Sequence, residues 1–467
     1  MFMQYSVFLA SSVLSVSAIG IIAELGSRLS PAAIITANIS TAPRWSDYHA
    51  PQAGYVVHVA EDSDVAETVK YCNQHNRTFL AQSGGHGWAN TFSMSGKDVI
   101  INMRGLNSMK LNENKTEIRI GGGVLNEELI QIAYDNGLQV LNGGCNCVGV
   151  MGATLGGGVS RNMNLYGLPA DNLVSARVVT SDGSIVVASS TENEDLLWAL
   201  RGAGANFGIV ISAVMNAYTA KNNGTVWAGT LTFTGNKLEG FIAAMGALIM
   251  TEDMTVHWGF SHALPENQPA ITAEVFFMRA DVEAARTACQ TLYALHPEND
   301  TTGILEYNHL NDDTIGLCED GGRKPAWHVG LKTLDYPAFQ QIWDHWVAFV
   351  EETGVDTTIL VETYSGYATQ QASRESASYA HRDINFYAWS LSFWEDETLD
   401  DVVEEYGREV RSLWRASSGF EQSRAYLNFA HGDEPLEEIY GESLPHLREL
   451  KSKWDPEAKF NQFFPIS

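Results

Sequence analysis

The residues most able to do chemistry sit in loops that carry unusual amounts of glycine. Ser83-Gly84-Gly85-His86 follows the strand-like run Thr78 to Ala81, and Asn142-Gly143-Gly144-Cys145-Asn146-Cys147-Val148-Gly149-Val150 lies about sixty residues later. A histidine and two thiols are nucleophiles and metal ligands, and glycine lets a bulky anion approach the backbone without meeting a Cβ. Zinc would need further ligands at recognisable spacing, and none is evident, so no metal is expected. Several such turns within one region suggest a nucleotide pyrophosphate instead. Gly202-Ala203-Gly204-Ala205-Asn206-Phe207-Gly208 imitates a dinucleotide fingerprint, but its spacing is wrong and a helix-like run, not a strand, precedes it. An ordinary Rossmann site is therefore disfavoured.

These loops need a scaffold, and the chain supplies two textures. From about 53 to 217 short β-branched runs alternate with helical ones: Gly54 to Val59 as strand, a helix capped at Asp62 or Ser63 and running to His75, a helix over Asn126 to Asn136, and strands Ser175 to Val179 and Ser184 to Ala188 around Asp182-Gly183. This region reads as α/β. After Lys221-Asn222-Asn223-Gly224 the glycine clusters stop, and a domain boundary is placed near 220. Tyr387, Trp389, Leu391 and Phe393 alternate with smaller residues, which suits a strand with one bulky face. A helix from Pro337 to Glu352, capped by Asp335, is expected to cover such a sheet.

With 467 residues the chain is long enough for two or three domains. Lys and Arg total 29 against 56 Asp and Glu, a net charge of −27. Nucleic acid and anionic membrane surfaces would be repelled, so neither is an expected partner. The five cysteines are too few and scattered for a disulfide framework, and their odd number leaves at least one without an intramolecular disulfide partner. Residues 1–22 have the apolar character of a signal peptide, with Val16-Ser17-Ala18 as a cleavage site, although no basic residue precedes Arg28. Sequons at Asn38, Asn76, Asn114, Asn223 and Asn299 agree with secretion.

The ordered set Ser-Gly-Gly-His, Cys-x-x-Val-Gly-Val-x-Gly, Leu155-Gly156-Gly157-Gly158, Asp171-Asn172 and Arg201-Gly-Ala-Gly-Ala-Asn-Phe-Gly-Ile resembles the berberine-bridge-enzyme group of FAD-linked oxidases, within the vanillyl-alcohol-oxidase fold. The likeness spans roughly 44 to 217 and resumes at Tyr426-Leu427-Asn428-Phe429 and Trp454-Asp455-Pro456. It implies a fold of α+β and α/β character: a PCMH-type FAD-binding domain over 30–217, a substrate domain over 218–423 built on an antiparallel sheet with covering helices, and a segment 424–467 returning to the first domain. The resemblance implies FAD bonded through His86 at its 8α-methyl and through Cys145 at C6, with Cys147, off that position, an ordinary buried thiol. Ser83, Gly84, Gly85, Val148, Gly149, Gly152, Gly156, Gly157, Asn206, Gly208, Ile209 and Asn428 would line the cofactor. Val148, three residues after Cys145, goes with oxidase behaviour in the family, which implies O2 as electron acceptor.

Two departures are informative. Many members have a tyrosine that helps deprotonate the substrate where this chain has Phe429, and a phenyl ring cannot take a proton. Tyr387, Tyr426 and His431 are the candidates for that role. Ala153 stands where several plant members have a histidine. The stretches "GGGVSRNMNLYGLPADN" and "NFAHGDE" resemble filamentous-fungal members, which implies a secondary-metabolite oxidase acting on a small organic substrate, with ring closure after oxidation as one outcome. The rival expectations are an extracellular carbohydrate oxidase and a flavin-scaffolded cyclase or binding protein without net redox chemistry.

Overall fold

The computed structural model describes residues 20–263 and 268–467. The cleavage motif at Val16 to Ala18 lies outside the described residues. Among those described, no helix is long and apolar enough to cross a membrane.

The N-terminal half holds two sheets. In the first, β1 (Ile34–Thr36), β2 (Tyr55–His58), β3 (Phe79–Gln82) and β4 (Val99–Asn102) lie in the order β1-β2-β4-β3, with β2, β4 and β3 parallel. The helix Asp62–Gln74 buries Val65, Val69 and Cys72 against this sheet. It starts at Glu61, one residue before the expected cap, because Asp64 turns back to accept the backbone N–H of Glu61. The second sheet contains β5 (Met109–Leu111), β6 (Glu117–Gly121), β7 (Leu138–Val140), β8 (Leu173–Val179), β9 (Ile185–Ser189) and β10 (Ile209–Thr219), and its pairings are antiparallel. The α/β reading thus describes the small sheet, and the region as a whole is α+β.

The polypeptide then enters an eight-stranded sheet: β11 (Thr225–Thr234), β12 (Met254–Ala263), β13 (Gln268–Phe277), β14 (Asn299–Asp300), β15 (Gly303–Glu306), β16 (Ala326–Leu331), β17 (Asp356–Tyr364) and β18 (Phe386–Phe393). Its order is β14-β11-β13-β12-β17-β18-β16, with β15 also on β11. Period-two alternation gives the sheet two different faces. One carries Trp258, Phe260, Trp327, Val329 and Val361, packed with Phe339, Ile342 and Trp346 of the helix Tyr336–Thr353 and with Val403 and Trp414 of the helix Asp400–Ser417. Asp335 caps the first of these helices, its carboxylate accepting from the Ala338 N–H at 3.0 Å. Helix Asp400–Ser417 lies so close that a Cβ on Gly407 would come 2.1 Å from the Trp327 ring.

The other face carries His328, Leu360, Glu362, Tyr364, Tyr387 and Trp389. Register fixes this, since Glu362 stands opposite both Tyr387 and His257, and Trp389 stands opposite both Leu360 and His328. This face is turned toward the N-terminal half, and its side chains join Leu141, Met163 and Leu168 from there and Tyr426 from the C-terminal segment in one core. The bidentate pair of Arg382 with Asp171 (2.9 and 2.6 Å) ties the two halves together beside it.

Candidate active site between the glycine loops and the large sheet

Two glycine-rich loops meet backbone to backbone. A Cβ on Gly84 would lie 2.3 Å from the Cys147 carbonyl oxygen and 2.9 Å from the Gly149 amide. Gly85 has φ of +67°, a conformation side chains rarely adopt, and its Cβ would meet the Pro43 carbonyl at 2.7 Å. Two glycines precede His86 for this reason: the chain must turn and still let the second loop lie against it. Gly149 closes the contact from its own side, where a Cβ would strike the Ser83 hydroxyl at 2.7 Å. Gly152 has open space where its Cβ would be.

The contact brings the nucleophiles together. His86 Nε2 lies 3.9 Å from Cys145 Sγ and 3.5 Å from Cys147 Sγ, and the two sulfurs are 3.4 Å apart. These donors fall within the 4.8 Å spread of a metal site. Cys147, however, is not the free buried thiol expected from the sequence: it forms a disulfide with Cys318, 171 residues away. Its sulfur is thereby committed, which leaves His86 and Cys145 as the free pair. Trp45 stacks on His86 with ring centroids 4.5 Å apart. Desolvation pushes the imidazole down to about 4, so it is neutral and keeps a lone pair at physiological pH. Burial raises the Cys145 thiol.

The residues present fit FAD. Ser83 Oγ is buried in the cradle without a hydrogen-bond partner, as is Asn146 Oδ1, and buried polar atoms of this kind ask for a polar ligand. Asn428 enters the same cradle from the C-terminal segment, donating to the Ala153 carbonyl at 2.8 Å and to Tyr426 Oη at 2.7 Å. It sits so tightly that a Cβ on Gly156 would lie 2.1 Å from its Oδ1. Gly157 is closed off by Tyr379. Val148 is half-buried between Cys145 and the Asn126 amide that its carbonyl accepts. Three more expected lining residues, Asn206, Gly208 and Ile209, lie at and just before the start of β10. The Asn206 side chain is occupied by Tyr440 Oη, the Phe463 and Phe464 carbonyls and the Ile466 N–H, so it anchors the C-terminus. Gly208 and Ile209 open β10, where Gly208 lets the chain pass Val178.

Across from the loops, the polar face of the large sheet supplies proton chemistry. Tyr387 and Tyr426 both lie here, their rings edge-on with centroids 5.7 Å apart. Burial pushes the Tyr387 phenol up to about 12 and raises Tyr426 still further, so both remain protonated and act as donors. His431 does not join them. It stacks on Trp327 at 4.8 Å, its Nδ1 faces the Ala326 carbonyl at 3.2 Å, and its Nε2 lies 3.6 Å from Glu404 of the helix Asp400–Ser417. These partners belong to the helix-covered side of the sheet, which removes His431 from the candidates.

The sequence reading missed the group best suited to accept a proton. Glu362 is buried on β17 beside Tyr387, and desolvation pushes its carboxyl up to about 7. Tyr364 donates to Glu362 Oε2 at 2.8 Å and lies 3.4 Å from His257 Nε2. Arg161 draws the Glu362 carboxyl back down electrostatically, and its guanidinium is also the nearest group to a Cβ on Gly144, next to Cys145. The available signal was "DTTILVETY", where an acid interrupts a β-branched strand at a position that period two assigns to a buried face. The wall is completed by Trp88, Trp389 and Phe429, nearly parallel rings with centroids 5.1 to 6.2 Å apart. Both indole N–H groups and His328 Nε2 are buried without partners.

Comparison with known proteins agrees with this geometry. Residues 53–189 match the FAD binding domain family, and residues 425–465 match the family described as berberine and berberine like. The FAD-linked oxidoreductase tazG of Aspergillus terreus is 31% identical over 439 residues, covering 91% of this chain and 88% of its own. OXR1 of Pyricularia oryzae, also an FAD-linked oxidoreductase, is 31% identical over 426 residues, covering 88% and 84%. Among solved structures, xylooligosaccharide oxidase from Myceliophthora thermophila C1 superposes with a TM-score of 0.83 at 20% identity, covering 97% of this chain and 99% of that one. For 6-hydroxy-D-nicotine oxidase from Arthrobacter nicotinovorans the TM-score is 0.82 at 22% identity, covering 94% and 98%. These two share the PCMH-type fold described above. With a cradle that fits the cofactor and relatives matching along nine-tenths of its length, the chain belongs to the berberine-like family of FAD-linked oxidoreductases.

Proposed function

We propose that the protein oxidises a small, flat organic substrate of secondary metabolism with FAD held covalently by His86 and Cys145, and that Glu362 is the proton acceptor. The observation that carries this reading is the buried Glu362, the carboxylate held at about 7 on the sheet face opposite the two free nucleophiles. FAD, when bound, supplies hydride acceptance from a substrate carbon and passes the electrons to O2, which leaves as hydrogen peroxide.

Glu362 takes the proton from a substrate O–H or N–H, its carboxyl pushed up to about 7 by burial and so matched to neutral pH. Tyr364 fixes the carboxylate through its 2.8 Å hydrogen bond, so one oxygen faces the substrate. Tyr387 donates to a substrate oxygen, held in place by Tyr379 at 3.2 Å between hydroxyls. The rings of Trp88, Trp389 and Phe429 exclude water and stack a planar substrate. Their aromatic surface favours such a ring over an oligosaccharide, which would ask for many more hydrogen-bonding groups. Val148, half-buried three residues after Cys145, is the residue on which the choice of O2 as acceptor rests. The five sequon asparagines are all exposed, which supports passage through the secretory pathway with glycosylation.

The test is peroxide release from the purified protein against a panel of phenols, benzylic alcohols and oligosaccharides. Turnover of the aromatic compounds, abolished in Glu362→Gln, is the expected result. Turnover of oligosaccharides alone would transfer the assignment to a carbohydrate oxidase. Substrate conversion with no peroxide and no flavin bleaching under anaerobic mixing would support the non-redox cyclase.

A further inference from the structure

We propose that the attachment site carries a second covalent chemistry, thiol–disulfide exchange, in which Cys145 takes Cys147 from Cys318 and unlatches the substrate-side segment as long as Cys145 is free. Cys145 Sγ stands 3.4 Å from Cys147 Sγ, and Cys147 is bonded to Cys318. The other free cysteines, Cys72 and Cys289, are buried in separate cores and do not compete.

The step balances within the three sulfurs. The Cys145 thiolate attacks Cys147 Sγ, the Cys145–Cys147 bond forms as the Cys147–Cys318 bond breaks, and Cys318 leaves as a thiolate. No external oxidant is consumed, because one disulfide replaces another. His86 Nε2 lies 3.9 Å from Cys145 Sγ and 3.5 Å from Cys147 Sγ, beside both the attacking sulfur and the one attacked, and the proton lost by Cys145 is balanced by the one Cys318 takes up as it leaves.

The consequence is mechanical. Cys318 ends the 3-10 turn Asp312–Cys318, and the neighbouring Leu317 carbonyl accepts the Trp45 indole N–H at 2.6 Å, over the ring that stacks on His86. The disulfide is thus the covalent tie between the Cys145 loop and this substrate-side turn, and when it opens the turn keeps only hydrogen bonds of the kind Asn311 makes to Arg161 and the Gly143 carbonyl and Leu317 makes to Trp45. A chain with free Cys145 can untie the turn and admit a large cofactor. Once Cys145 is bonded, no thiol remains beside Cys147 and the tie is permanent. This last step rests on the reading of Cys145 as a cofactor anchor, and the exchange itself does not.

The experiment uses the full-length wild-type protein. It is acid-quenched, unfolded in the presence of N-ethylmaleimide at acidic pH, and digested without reduction, and peptides are mapped separately for chains with and without flavin at Cys145. In flavin-free chains label is expected on both Cys145 and Cys318, with a Cys145–Cys147 disulfide in the fraction labelled at Cys318. Flavin-bearing chains and the Cys145→Ser variant should show only Cys147–Cys318, with Cys318 unlabelled. Label confined to Cys145 in flavin-free chains, or equal label on Cys318 in Cys145→Ser, overturns the exchange. Label on Cys318 in flavin-bearing chains overturns the lock. If no chain carries flavin at Cys145, the anchor reading fails, and labelling of Cys318 still decides the exchange.

Discussion

Replacing Glu362 by glutamine keeps the volume and the hydrogen-bonding capacity toward Tyr364 but removes the titration. In the folded chain this carboxyl moves from its ordinary 4.5 up to about 7 because its charge is desolvated. Between those values the folded state holds a proton that the unfolded state has released, so stability falls as pH rises through the window. At about 1.4 kcal/mol for each pH unit, the wild type loses about 3 kcal/mol between pH 4.5 and 7 from this group. Glu362→Gln lacks that loss, so its urea midpoint relative to wild type should rise across the same interval and level off above it. Its activity should fall about 10² to 10⁴-fold, the usual value of a positioned base. The wild-type kcat/KM should climb with pH through about 7, and that limb should vanish in the variant. Parallel urea midpoints for the two proteins from pH 4.5 to 7, or a variant that keeps the rising limb, would refute the assignment.

Other substitutions separate the parts of the site. Gly84→Ala places a methyl 2.3 Å from the Cys147 carbonyl, so the loops must part, and flavin content by absorbance should drop to background. Asp171→Ala strands Arg382 in the interior and should cost about 3 to 5 kcal/mol by chemical denaturation, because a buried charge is left without its partner. His431→Gln, on the helix-covered side, should leave kcat/KM within about threefold while lowering the melting temperature, and a larger loss of turnover would return His431 to the proton path.

Much of the scaffold is legible in the sequence because local rules govern it. Asp335 and Pro337 announce their helix, and the alternation of Tyr387, Trp389, Leu391 and Phe393 gives both the strand and the face it presents. The glycine loops are also readable, since their chemistry and spacing survive without knowledge of what they touch. What fails is whatever depends on a meeting of distant segments. The Cys147–Cys318 bond joins residues 171 apart, and nothing local to either cysteine foretells it. His431 follows Phe429 by two residues yet ends on the opposite side of the large sheet, because its turn wraps the edge strand β16 and lands on Trp327. Glu362 is illegible for a related reason: a lone acid in a strand is ordinary until register sets it beside Tyr387 and His257 inside a closed face.

The central claim is that His86 and Cys145 each anchor the cofactor, and it is tested most directly by flavin retained on denatured polypeptide. Wild type, His86→Ala, Cys145→Ala and the double variant are unfolded, freed of small molecules and measured by absorbance and intact mass. The account predicts flavin on wild type and on each single variant, and none on the double variant. A colourless wild-type chain of unmodified mass would contradict it.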